Sequence, residues 1–207
     1  MIATTLAAVS RLISGANGHW HCDPGATHPR IYYANHSSHL DFVVIWSALP
    51  AGIRHVVRPV AGEDYWLANR VRRYLANHIF HAVLVERAQP DASDALVRAR
   101  ASTDRMAKAL GSRNSLIVFP EGTRGTDGEV GAFKSGLYYL SQLRPDVELI
   151  PVYLENLNRI LPKGEVLPVP MLSRVVFGPP LTTIANECRD GFLARAREAL
   201  LRLRAMR

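Results

Sequence analysis

Cysteine, lysine and long apolar runs are all scarce in this chain of 207 residues. Its two cysteines, Cys22 and Cys188, cannot build a disulfide framework, and neither belongs to a Cys-x-x-Cys metal or redox pattern. A reduced intracellular compartment is the expectation that follows. The longest uncharged stretches, Leu12 to Cys22 and Phe42 to Ile53, fall short of the roughly 18 residues that would span a bilayer. They are also interrupted by proline, glycine or polar residues. Met1 to Ser10 places no basic residue ahead of its apolar positions, so a secretory signal is not expected. A Gly-x-x-x-x-Gly-Lys-Ser/Thr phosphate loop is missing, which argues against a P-loop nucleotidase. So is the Gly-x-Ser-x-Gly elbow of serine hydrolases. Any transfer chemistry is therefore expected to use a substrate hydroxyl as the nucleophile.

What the chain does have is a globular balance, with 48% apolar and 21% charged residues. Its length fits one domain. The net charge is +7, carried by 22 arginines and only 3 lysines. Arginine grips phosphate through a two-pronged fork, although a compositional bias of the genome yields the same count. Six arginines fall between Arg189 and Arg207, against Asp190 and Glu198. A basic balance of this kind points to an anionic partner: nucleic acid, a phosphorylated metabolite or anionic lipid.

Apolar periodicity lays out alternating strands and helices. Helices are predicted over 1–13, 40–49, 64–76, 91–110, 134–143 and 185–206. Strands are predicted over 30–34, 53–60, 79–85, 115–119, 147–154 and 174–177. Gly15, Gly18, Pro24 and Gly25 read as a loop. The pattern predicts an α/β fold in which a central, mostly parallel or mixed sheet is flanked by helices. The organisation expected is an N-terminal amphipathic helix and loop over 1–29, a catalytic core over 30–180 and a basic C-terminal helix over 181–207.

Ligands in such sheets bind beyond the carboxyl ends of strands, and three polar clusters lie there. The first is Asn35-His36-Ser37-Ser38-His39-Leu40-Asp41. His36 and Asp41, five apart, could not meet on one regular helix. They can meet if His36 sits in the turn and Asp41 in the first helical turn, and Ser38-x-x-Asp41 has the form of a capping box. Asp41 would then fix the imidazole tautomer, leaving His36 as a general base. A helix cap beside an ordinary turn histidine fits the same spacing. A zinc set of His36, His39 and Asp41 has suitable ligand types without a familiar metal spacing.

The second cluster is Phe119-Pro120-Glu121-Gly122-Thr123-Arg124-Gly125, followed by Lys134 at a predicted helix start. Its glycines let backbone amides approach a ligand. Arg124 can grip a phosphate, and a solvated turn with ordinary charges is the alternative. The third cluster is Glu86-Arg87, where Arg87 ends a predicted strand.

Asn35-His36-x-x-x-x-Asp41, the strand ending in Arg87, Phe119-Pro120-Glu121-Gly122-Thr123-Arg124 and Ile150-Pro151-Val152 occur in that order. This combination, over roughly residues 30 to 180, resembles the glycerolipid acyltransferases, and among them the 1-acylglycerol-3-phosphate (lysophosphatidate) acyltransferases. The resemblance implies direct acyl transfer from a thioester, acyl-CoA or acyl carrier protein, to the free hydroxyl of a lysophospholipid. His36 would be the base and Asp41 its orienting partner. Glu121, Gly122, Thr123 and Arg124 would form the acceptor site, with Arg87, Arg124 and Lys134 toward its phosphate. No metal or redox cofactor is implied. The expected partners are the lysophospholipid, the acyl donor and an anionic membrane touched peripherally on its cytoplasmic face, with no nucleic acid. Lyso-ornithine lipid or glycerol 3-phosphate as acceptor, or a catalytically silent lipid-binding module, are the competing readings. The chain departs from the family pattern at His81, where the Arg87 motif commonly opens with glycine. Two basic or apolar segments could dock on a membrane: the stripe Phe192, Leu193, Ala196, Leu200 and Leu203 with its surrounding arginines, or the stripe Ile2, Leu6, Val9 and Ile13. The first could equally pack on the sheet.

Overall fold

The strand Arg30–Ala34 (β2) is buried at all five positions, because helices cover both of its faces. Tyr32 and Ala34 point into one apolar cluster, and Ile31 and Tyr33 into the other. That is the two-residue alternation of a strand in the middle of an α/β sandwich. The computed structural model describes residues 2–38, 41–86, 95–125, 129–155 and 173–206. Around β2 it builds a seven-stranded sheet from Asn17–Trp20 (β1), Val57–Gly62 (β3), Val83–Val85 (β4), Ser115–Val118 (β5), Glu148–Glu155 (β6) and Arg174–Phe177 (β7). The order is β1-β7-β6-β2-β5-β3-β4. Pairings are parallel except β6 with β7, so β1 and β7 run against the other five. The expected α/β class with a mostly parallel sheet is what the chain adopts.

Helices Ile2–Ser14 (α1) and Asp41–Ala48 (α2) lie on one face, where Ala7, Phe42, Ile45 and Trp46 join Tyr32 and Phe177. Ala95–Leu110 (α5), Gly136–Leu143 (α6) and Arg189–Arg202 (α7) cover the other. Leu110, Leu137, Leu140, Ala196 and Leu200 fill that side. Among the described residues no helix is long and apolar enough to cross a membrane.

Four segments differ from the sequence expectations. The strand expected over 53–60 starts at Val57, after a 3-10 turn over Arg54–Val56, and runs on to Gly62. Residues 17–20, read as loop, form β1 beside β7. Gly18 makes this possible, since a Cβ there would sit 2.7 Å from the Trp20 indole nitrogen and 3.3 Å from Ala48 O. Trp20 stacks on Phe177 with ring centroids 3.6 Å apart. The helix expected over 64–76 is broken into Glu63–Trp66 (α3) and Arg70–Tyr74 (α4), because Asn69 caps a fresh start by accepting from Arg72 N–H at 2.8 Å. The chain then widens into a π turn over Leu75–Ile79. That consumes most of the strand expected over 79–85, leaving Val83–Val85. His81 turns the chain into β4 with φ of +47°.

The stripe on α7 is a core element. Phe192, Ala196, Leu200 and Leu203 are buried against the sheet. The arginines around it have partners: Arg195 with Glu187, Arg202 with Glu198, Arg204 with Glu129. Arg197 donates to the carbonyls of Val130 and Gly131. The apolar stripe of the C-terminal helix therefore faces the sheet, and its arginines lie on the outer side. α1 and β1 at the N-terminal side and α7 at the C-terminal side all pack into the sheet sandwich.

Candidate active site

Strands β2 and β5 are neighbours, with Tyr33 opposite Val118. Their carboxyl ends therefore release Asn35-His36 and Phe119-Pro120-Glu121 side by side. Asn35 secures the exit of β2 by continuing the ladder with its side chain. Its Nδ2–H donates to Leu154 O at 3.0 Å, and Leu154 N–H donates to its Oδ1 at 2.8 Å.

His36 and Asp41 meet as the spacing allowed. His36 Nδ1 lies 2.8 Å from Asp41 Oδ2. The Asp41 side chain is fully buried, whereas that of His36 is 20% exposed. The same oxygen accepts the N–H of Ser37 at 2.6 Å and of Ser38 at 2.9 Å. The Ser38 bond is the half of a capping box that the acidic residue supplies. A carboxylate can only accept, so the shared hydrogen sits on Nδ1 and the lone pair on Nε2. The imidazole stacks on Phe119, centroids 4.3 Å apart, which holds the ring plane. Nε2 has no hydrogen-bond partner among the described residues. His39, third member of the possible zinc set, lies outside those residues.

Glu121 clasps this loop from the other side. Its Oε1 accepts His36 N–H at 2.8 Å and its Oε2 accepts Gly131 N–H at 2.8 Å. Gly125 N–H donates to His36 O at 2.9 Å. The buried Glu121 carboxylate thus joins three loop segments. Gly122 turns with φ of +69°, and a Cβ there would lie 2.9 Å from Lys134 Nζ. The positive φ favours glycine here, and a larger residue would also have to displace the Lys134 side chain that crosses above it.

A cavity of about 360 Å³ opens beside His36. Its walls are apolar: Val60, Val85 and Val118 from strand ends, Met106 from α5, and Leu137 and Leu140 from α6. Phe42, Tyr65 and Trp66 add aromatic lining. Gly122, Thr123 and Lys134 line it as well, and Lys134 is the cation lining the cavity among the described residues. A histidine with an unpartnered ring nitrogen, lining a largely apolar cavity, suits deprotonation of a hydroxyl on an amphiphile.

A family model described as Acyltransferase matches residues 20–155, about two thirds of the chain. The chain belongs to the Acyltransferase family. A 1-acyl-sn-glycerol-3-phosphate acyltransferase from Limnanthes douglasii is 32% identical over 163 residues, covering 74% of this chain and 50% of that protein. One from Cocos nucifera is 28% identical over 160 residues, with coverages of 74% and 46%. The chain spans about half the length of these curated relatives. The solved structure of the 1-acyl-sn-glycerophosphate acyltransferase PlsC from Thermotoga maritima superposes with a TM-score of 0.72, covering 99% of this chain and 79% of that one. At 17% identity, that likeness speaks for the fold.

Within this member of the family the residues singled out from sequence separate into groups. His36, Asp41, Glu121, Gly122, Thr123 and Lys134 converge on one end of the sheet. Arg124 is half-buried in the same loop, and it is not among the residues lining the cavity. Arg87 lies outside the described residues, one position beyond Glu86, which lines the cavity. Sequence reasoning did not identify the bracing roles of Asn35 and Phe119, nor the α5 wall. The α5 signal was present as Ala99, Ser102, Thr103 and Met106, a helical stripe of small and flexible residues.

Proposed function

We propose that the chain transfers a fatty acyl group from a thioester to the free hydroxyl of a lysophospholipid, with 1-acylglycerol 3-phosphate as acceptor and phosphatidate as product. The observation that carries this reading is the His36–Asp41 pair, its Nε2 unpartnered among the described residues, with His36 lining a largely apolar cavity. His36 Nε2 takes the acceptor hydroxyl proton as that oxygen attacks the thioester carbonyl. The tetrahedral adduct collapses, the carbon–sulfur bond breaks, and the imidazolium returns its proton to the departing thiolate. Asp41 keeps Nδ1–H in place throughout, so Nε2 is the nitrogen that cycles. Lys134 and Arg124, together with Arg87, are the cations for the acceptor phosphate, each contact worth about 1.5–3 kcal/mol. The donor is acyl-CoA or acyl carrier protein, and the chain acts peripherally on the cytoplasmic face of a membrane.

The test is incubation of purified protein with each acyl donor and a panel of lysolipids, with products read by mass spectrometry. Phosphatidate formed from lysophosphatidate supports the reading. Acylation of lyso-ornithine lipid or glycerol 3-phosphate instead would reassign the acceptor. No ester product with any acceptor would reject the acyltransferase reading.

A further inference from the structure

The segment from Tyr65 to Val85 contains three arginines and no acidic residue. Its inner side packs on the core through Trp66, Leu75, Ala76 and Ile79. Its outer side leaves Leu67, Val71 and Tyr74 at 42%, 68% and 49% exposure. Arg70 and Arg73 stand between them, exposed and without an ion-pair partner among the described residues. Arg72 lies over the Tyr65 ring, 4.0 Å from its centroid. Tyr65 and Trp66 in turn line the cavity. Aliphatic and tyrosyl side chains standing in water between unpaired cations are the features of an interfacial membrane face.

The two segments proposed from sequence lack this combination. On α7 the apolar stripe is buried and the arginines are paired. On α1, Val9 and Leu12 are exposed, but the one arginine, Arg11, donates to the carbonyls of Ser47 and Leu49.

We propose that residues 67–74, through Leu67, Arg70, Val71, Arg73 and Tyr74, are the face that docks on an anionic lipid bilayer and brings the cavity-lining Tyr65 and Trp66 toward it, the preceding Glu63 being paired with Arg105. The inference rests on the lipid-acyltransferase reading for its biological sense, and its test reads binding separately from activity. The protruding apolar side chains favour a lipid surface over an acidic protein, which would need only the charges. Docked this way, a lipid passes from the bilayer over Tyr65 and Trp66 into the cavity without crossing open water.

The experiment is co-sedimentation of the full chain with vesicles of phosphatidylcholine alone and with 30% phosphatidylglycerol, about the anionic share that makes each arginine count. Wild type is expected to prefer the anionic vesicles. Arg70→Gln with Arg73→Gln lowers that partition about 30-fold at low salt, and the difference shrinks as salt rises. Val71→Ser with Tyr74→Ser weakens binding at every salt concentration. Arg202→Gln with Arg204→Gln on α7 leaves it unchanged. All six changes lie on the surface, and circular dichroism checks the fold. Activity on a short-chain, water-soluble lysolipid is retained in the α4 variants. If no variant has acyl transfer and wild type has none either, the functional reading fails while the binding result still stands or falls alone. Wild-type binding by both α4 variants overturns the docking proposal, as does loss of binding on Leu12→Ser with α4 intact. Unchanged vesicle binding with impaired use of an acyl carrier protein donor also overturns it, and assigns the arginines to that acidic protein.

Discussion

His36 needs two different environments on one ring, a fixed acceptor at Nδ1 and open space at Nε2, and five residues of chain supply the first. Asp41 Oδ2 receives the imidazole and two backbone N–H groups within 2.9 Å, so its position is set by the loop itself. Replacing His36 with Ala is expected to lower turnover by about 100-fold or more, the scale of a general base, with the unfolding midpoint little changed. Near-wild-type transfer by that variant would refute the mechanism. Glu121 separates position from binding. Both its oxygens accept backbone N–H groups, so Glu121→Gln turns one acceptor into a donor facing a donor. Displacing the His36 loop should cost up to about 100-fold in kcat while the acceptor KM stays the same. A raised KM at constant kcat would instead make Glu121 an acceptor contact. His81 sits at φ of +47°, a region that costs a side-chain-bearing residue about 1–2 kcal/mol. Glycine recovers most of that and gives back about 0.5–1 in unfolded-state freedom. His81→Gly should therefore raise stability by up to about 1 kcal/mol, read from the urea midpoint. This is the position at which the chain departs from the family's glycine.

Elements place the site through strand ends and helix packing. Two loops distant in sequence become one because β2 and β5 are adjacent in the sheet. The α7 helix shows how one amphipathic pattern can serve two purposes. Its stripe of Phe192, Ala196, Leu200 and Leu203 could in principle lie on lipid, and instead completes the core over β2 and β6. Leu200 is fully buried, so Leu200→Ala should cost about 2–5 kcal/mol, the range for buried leucine truncation. A cost under half a kilocalorie, the usual limit for an exposed site, would mean that the helix does not pack there. On the opposite face α4 escapes such packing because Asn69 restarts the helix. Its Val71 and Tyr74 remain outside while Leu75 and Ile79 turn inward.

At the scale of the whole molecule, the end of the sheet away from the site is closed by a charged network. Arg30, 3% exposed, donates through Nε to Glu148 at 2.8 Å, and His28 Nε2 lies 2.7 Å from the same oxygen. Partial burial pushes the Glu148 carboxyl up, and the bonds from His28 and Arg30 outweigh that, leaving it below its ordinary value. The side-chain bond from Arg144 likewise lowers Asp146, and that from Arg195 lowers Glu187. A carboxyl lowered by folding stabilises the native state above its unfolded value, near 4.3 for glutamate. That contribution is lost as pH falls through the lower folded value. The folded chain should thus lose stability on acidification below about pH 4–5. Glu148→Gln should flatten this acid limb and cost about 1–3 kcal/mol at neutral pH, measured by urea unfolding at a series of pH values. An identical pH slope in wild type and variant would detach Glu148 from acid stability.

Local chemistry was enough to reveal the α/β class and the positions of most helices and strands, and it allowed the pairing of His36 with Asp41, which a helix cap beside a turn histidine fitted as well. Each depends on neighbours a few residues apart: apolar periodicity, a capping pattern, a proline or glycine stop. Where the energetics involve distant partners the sequence was silent or misleading. The four residues Asn17–Trp20 have weak strand propensity, and pair only because β7 offers an edge and Phe177 a ring to stack on. The break after Trp66 hangs on a single asparagine side chain winning the Arg72 amide from a continuing helix. Whether arginines on a basic helix face water or a carboxylate was decided by what packed beside them: Glu187 and Glu129 pair with arginines of the C-terminal helix, and no ion pair among the described residues engages Arg70 or Arg73. Sequence therefore determined which groups could react. Tertiary structure decided which cations remained unpaired and which apolar faces stayed open, because burial and ion pairing depend on neighbours brought in from elsewhere along the chain.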